Sequence, residues 1–116
     1  MFEFMNTIKA IADSNRVRII SILQGRELCV CQIIKMLHLA PSTVSKHISI
    51  LRQARLIEDR KEGRWMYYRL PDNPSPFVRE IIKLINNSII NDQQIQDDNK
   101  LMNKIMSMSK EKLCQK

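Results

Sequence analysis

Apolar positions recur along the chain at two different periods. Phe4, Ile8 and Ile11 fall three and four residues apart, which predicts an amphipathic helix over 3–12 whose stripe packs on the body or on a second subunit. Asp13 suits an N-cap, its carboxylate accepting from open amides of a helix that starts at Asn15 and points Val17, Ile20 and Leu23 inward. Gly25 supplies the stop. Residues 30–38 repeat the pattern with Ile33, Ile34 and Leu37, and the junction His38-Leu39-Ala40-Pro41 leads into another helix. Pro41 sits in its first turn, where a missing N–H costs nothing. Val44, Ile48 and Leu51 form its apolar stripe, and Ser42, Thr43, Ser45, Lys46 and Ser49 occupy the rest of its surface.

After Arg55 the period shortens. Residues 56–60 and 65–70 are β-prone runs separated by Lys61-Glu62-Gly63-Arg64, with Gly63 available for a positive-φ turn position. Two helices joined by a tight turn and followed by a hairpin make a winged helix-turn-helix, mainly α with a β-hairpin wing. Pro71 to Pro76 then breaks the chain, Ser75 can cap, and Phe77, Ile81, Leu84, Ile85 and Ile89 build a further amphipathic helix. Residues 92–116 are polar. Leu101, Ile105 and Met108 keep helical spacing there, so the tail reads either as a detached helix or as a frayed end. The division is thus 1–91 for the winged helix-turn-helix domain and 92–116 for a C-terminal tail.

A length of 116 residues allows one domain with a modest core, and 44% apolar with 27% charged residues is an ordinary soluble composition. Charge adds more. The 19 Lys and Arg against 12 Asp and Glu leave a net +7, which points to a polyanionic partner. Residues 1–40 carry 5 basic and 3 acidic side chains, residues 41–70 carry 7 and 3, and residues 71–116 carry 7 and 6, so the excess peaks over the second helix and the wing. No apolar run approaches the about 18 residues of a membrane span, and the start lacks a secretion signal, so a cytoplasmic location is expected. Three cysteines in such a protein imply reduced thiols rather than a disulfide framework.

These features give the helix over 42–54 the character of a reading helix for double-stranded DNA. Small hydroxyl side chains permit close approach to phosphates and base edges, and Lys46, His47 and Arg52 add charge or hydrogen bonds. Ser42, Thr43, Ser45, Lys46, His47, Ser49 and Arg52 are its candidate contacts, with Arg60, Lys61 and Arg64 of the wing on backbone or minor groove. A merely solvated face is the plainer alternative. Trp65 and Tyr67 belong to the hairpin's own packing.

The stretch Glu27-Leu28-Cys29-Val30-Cys31-Gln32-Ile33 places two thiols two positions apart. Cysteine is often a small buried residue, but at about 100° per residue positions i and i+2 diverge by roughly 200° on a helix, so one helix cannot turn both inward. In extended or distorted backbone they point the same way and can hold one soft ion. Binding then reshapes the start of the helix that supports the reading helix, which couples ligand to DNA affinity.

ELCVCQI resembles the cysteine box of the ArsR/SmtB family of bacterial metal-responsive repressors, and STVSKHISILRQARLIEDRKEGRWMYYRL resembles that family's recognition helix and wing. The resemblance covers about residues 3–90. It implies a homodimer, joined through residues 3–12 and 77–90, that blocks transcription of a resistance operon until a toxic ion releases it. No cofactor is implied for DNA binding itself. Cadmium and lead sensors of the family recruit further cysteines before the box, and there is none before Cys29; zinc and nickel or cobalt sensors place His and acidic ligands on the last helix, and residues 77–91 offer only Glu80. The arsenic and antimony branch is what remains, with Cys29 and Cys31 as ligands to a trivalent metalloid. That branch carries a third cysteine three residues after the second, where this chain has Ile34, so Cys114 of the tail is the candidate third ligand. Two thiols alone suit a methylated trivalent arsenical. His38 and His47 are assigned to helix-end and DNA or packing contacts rather than to metal.

No nucleophile and base pair, phosphate-binding glycine loop or carboxylate constellation supports an enzyme. The rival readings are a thiol redox sensor of the same fold and a constitutive DNA-binding module with inert cysteines.

Overall fold

The computed structural model describes residues 1–109 and 113. Helices α1 (Phe2–Ile11) and α2 (Ser14–Ile22) lead into a short strand β1 (Leu28–Cys29), followed by α3 (Val30–Leu37) and α4 (Pro41–Gln53). Strands β2 (Glu58–Glu62) and β3 (Trp65–Arg69) form the wing, and α5 (Pro76–Ile89) and α6 (Gln93–Met106) complete the described elements. The mainly helical winged helix-turn-helix read from the sequence is the fold observed.

Local chemistry accounts for the boundaries. Asp13 is extended at the head of α2, and its Oδ1 accepts from the amides of Asn15 at 2.8 Å and Arg16 at 3.2 Å. Burial opposes ionisation of this carboxyl, but the two amides and the nearby His47 and Arg16 outweigh it and hold the group below its ordinary value. α3 ends with His38 in the left-handed region at φ 55°, its backbone N–H donating to Ile34 O. The sequence reading gave this capping to the His38 side chain; the backbone does it. Ser75 Oγ accepts from the Val78 amide, and Pro76 opens α5.

The core is built from Ile19, Ile20, Ile22 and Leu23 of the α2 segment, Ile33 and Met36 of α3, and Val44, Ile48 and Leu51 of α4. Leu56 and Ile57, expected in the first wing strand, are buried in this core instead. The wing strands therefore lie nearer the tip than the pattern suggests, and Gly63, at φ 60°, and Arg64 make the turn. The sheet order is β1-β3-β2, all antiparallel, so the hairpin gains a third strand that alternation of two residues could not announce.

Residues 93–106 form α6, which packs on α2 and α3. Ile95, Met102 and Ile105 are buried there, each side chain contributing about 1.5–3 kcal/mol by leaving water. The polar residues that obscured this helix have partners. Arg18 Nε and Nη2 donate to the two oxygens of Asp98 at 2.8 and 2.9 Å, and Arg26 donates to Asn99 at 2.8 Å and Asn103 at 3.2 Å. The hydrogen bond to Asp98 outweighs the effect of burial and raises the Arg18 guanidinium's affinity for its proton. Among the described residues no helix is long and apolar enough to cross a membrane.

Candidate functional site

The outer face of α4 follows from its stripe. With Val44, Ile48 and Leu51 buried, Ser42, Thr43, Ser45 and Lys46 are exposed, and His47 and Ser49 are half-buried at the margins. α4 packs on α2 and α3, so this polar face is presented by a rigid pair of helices rather than by a loop. Arg52, at the far end of the same helix, is exposed and donates to Asp59 of the wing at 3.0 Å.

The three wing cations are not equivalent. Lys61 and Arg64 are exposed at the tip, with the Arg64 guanidinium 4.8 Å from the centre of the Trp65 ring. Arg60 is drawn back. It donates to both oxygens of Glu27, the Nε bond being 3.2 Å, and to Glu62 at 3.1 Å, and it lies 5.0 Å from the centre of the buried Tyr67 ring. The hydrogen bond to Glu27, and then that to Glu62, strengthen its hold on the proton.

The thiols straddle a strand-to-helix junction. Cys29 belongs to β1, opposite Tyr67 of β3, and is the residue before α3; Cys31 lies in the first helical turn. Cys29 is buried and is a free thiol. Its backbone N–H donates to Gln32 Oε1 at 2.9 Å, so Cys-x-x-Gln takes the place of the usual Ser-x-x-Gln capping arrangement. Cys31 is half-buried and disulfide-bonded, unlike the reduced thiol expected from the sequence. Cys114, the candidate third ligand, lies outside the described residues. Among the described residues no three His, Cys, Asp or Glu side chains gather as a metal site.

Register ties the thiol segment to the wing. Tyr67 pairs with Cys29 on one side and with Arg60 on the other, so Cys29, Tyr67 and Arg60 form one row across the sheet. Glu27, two residues before Cys29, closes the row through Arg60. Sequence reasoning singled out neither Glu27 nor Arg16, whose guanidinium meets His47 of α4; each contact spans about thirty residues and has no periodic signature.

The family model of bacterial regulatory proteins of the arsR family matches residues 13–59, from the cap of α2 into β2. An uncharacterized HTH-type transcriptional regulator of Methanocaldococcus jannaschii is 40% identical over 78 residues, covering 66% of this chain and 84% of that protein. The arsenic resistance transcriptional regulator ArsR1 of Pseudomonas putida is 37% identical over 76 residues, 65% of this chain but 59% of that protein, less than two thirds of its length. Among solved structures, HlyU from Vibrio cholerae superposes with a TM-score of 0.67 at 29% identity, covering 77% of this chain and 94% of that one. Helix-turn-helix, wing and relatives agree: the chain belongs to the arsR family of bacterial regulatory proteins and is a DNA-binding transcriptional repressor of the winged-helix type.

Proposed function

We propose that this repressor senses a trivalent metalloid. A homodimer sets α4 of each subunit in the major groove of operator DNA, with Ser42, Thr43, Ser45, Lys46, His47, Ser49 and Arg52 at the contact and Lys61 and Arg64 of the wing on the backbone. Once a cellular dithiol or glutathione has reduced the disulfide at Cys31, trivalent arsenic or antimony takes the thiolates of Cys29 and Cys31, with Cys114 as the third donor, and the protein leaves the DNA. Arg60 acts inside the protein, holding the wing to the thiol strand.

The observation that carries this reading is the place of the two cysteines, one in a strand of the wing sheet and the next in the first turn of α3. A soft ion bridging them strains the junction and moves both the wing and the helix under α4. The similarity to an arsenic resistance regulator supports the choice of ion. The dimer is supported by the apolar surface of α1 and α5: Phe2 and Leu84 are 81% and 60% exposed, and Phe4 joins Phe77 at a ring separation of 5.7 Å.

Titrating arsenite into the complex with its own promoter DNA tests the proposal. Wild type is expected to dissociate and Cys29→Ser/Cys31→Ser to stay bound; Cys114→Ser staying bound as well assigns the third ligand. Retention of the wild type at saturating arsenite overturns metalloid sensing. The disulfide at Cys31 favours one second reading, a thiol redox sensor, for which peroxide alone releases the wild type.

A further inference from the structure

We infer that Arg16 fixes the tautomer of His47, so that α4 presents the His47 Nε2–H as a permanent hydrogen-bond donor to an acceptor on DNA. The inference rests on the DNA-binding face described above and adds to it a residue outside that face.

Arg16 Nη1 lies 3.2 Å from His47 Nδ1. A guanidinium has only donors and stays protonated in proteins, so this contact is a hydrogen bond only if Nδ1 offers a lone pair. A neutral imidazole with a lone pair on Nδ1 carries its proton on Nε2. The tautomer therefore follows from the chemistry of the partner. Arg16 is itself held: Nε donates to Ala10 O at 2.6 Å and Nη2 to Lys9 O at 3.3 Å, both carbonyls at the C-terminal end of α1, where the helix dipole favours a cation. Its backbone amide is also engaged, by Asp13. The guanidinium thus cannot turn away without uncovering two helix-end carbonyls. His47 is half-buried beside exposed Lys46, and its Nε2 has no hydrogen-bond partner among the described residues.

A fixed donor discriminates. It donates to purine N7, guanine O6, thymine O4 or a phosphate oxygen and finds no acceptor in the amino groups of cytosine and adenine. Arg16 is thereby a positioning residue: it touches no DNA and acts through His47.

Nitrogen-detected NMR of the imidazoles in the free, full-length protein tests the first half. His47 is expected as the Nε2–H tautomer in wild type, and Arg16→Ala is expected to shift it toward a mixture; an Nδ1–H ring in wild type overturns the inference. For the second half, wild type selects its site from random-sequence duplexes, and base-pair changes and single methylphosphonates are introduced along that site. His47→Ala is expected to lose about five- to tenfold in affinity and to abolish discrimination at one base pair, or sensitivity at one phosphate, which separates the two acceptor sources. Arg16→Ala is expected to weaken binding in the wild-type background and to add nothing in His47→Ala. An equal Arg16→Ala loss in both backgrounds, or His47→Ala without change at any position, overturns the assignment. Should Arg16→Ala not fold, the wild-type tautomer and the His47→Ala profile still decide. A wild type that enriches no duplex refutes the DNA-contact reading instead, and the tautomer, measured without DNA, keeps the two failures apart.

Discussion

Arg18 and Arg60 each hold a carboxylate far away in sequence, but in different surroundings. The Arg18 and Asp98 side chains are 18% and 4% exposed; those of Arg60 and Glu27 are 40% and 29% exposed. A carboxylate as buried as Asp98 is tolerable because two guanidinium bonds from Arg18 and one from the Gln94 amide replace its water, and the Arg18 bonds tie α6 to α2. The wing pair keeps much of its hydration whether made or broken and contributes little to stability. Its worth lies in orientation, and an interaction of that kind can be remade when a ligand arrives.

Breaking the buried pair should have the largest effect. Asp98→Ala leaves the largely buried Arg18 guanidinium without its carboxylate, with Asn15 Oδ1 as its remaining acceptor among the described residues, and is expected to cost about 3–5 kcal/mol, read as a lower urea midpoint with loss of amide protection concentrated in α6. An unchanged midpoint means that the apolar contacts of Ile95, Met102 and Ile105 and the Arg26 hydrogen bonds hold α6 without the pair.

The exposed cations should behave in the opposite way. Lys46→Ala and Arg64→Ala are each expected to leave stability within about 0.5 kcal/mol while lowering the slope of log affinity against log salt by about 0.9 for each phosphate no longer neutralised. Unchanged slopes for both variants remove these residues from the interface. The comparison then becomes one between paired charge that organises the protein and cationic charge turned toward DNA.

The two regions also differed in how far the sequence revealed them. α2, α4 and α5 announced themselves because caps at Asp13 and Ser75, Pro at two helix starts and regular stripes all agree locally. The docking of α6 did not, because Asp98, Asn99 and Asn103 look like solvated polar residues until Arg18 and Arg26 are known to face them. β1 escaped for a related reason: two residues have no period, and their pairing with β3 is set by tertiary contacts. The spacing of the two cysteines was visible in the sequence, whereas the strand-to-helix junction that puts Cys29 in the sheet and Cys31 in α3 was not.

Asp13 is the intermediate case. Asp13→Ala removes one cap and is expected to cost about 1 kcal/mol. Because the folded protein depresses this carboxyl below its ordinary value of 3.8, the cap's contribution is complete above that pH and is lost as pH falls through the lower folded value. The gap between wild type and variant in thermal unfolding should therefore be constant near neutrality and close in acid below 3.8. A gap that persists in acid assigns the loss to packing rather than to the carboxylate.

The smallest effect on stability is expected at Glu27, and it is the most informative about the wing. Glu27→Gln should lower stability only slightly, a difference erased by molar salt. Its effect on DNA has a sign that separates two ideas. If Glu27 is only a nearby negative charge, removing it makes the DNA-facing surface more positive and tightens binding. If Glu27 holds Arg60, and through it the row from Cys29 across Tyr67, the variant frees the wing and weakens binding despite the added net positive charge. Weaker binding, measured at fixed ionic strength, is the expected result. Tighter binding breaks the link between the thiol strand and the wing, and leaves the start of α3 as the route by which the proposed ligand would reach α4.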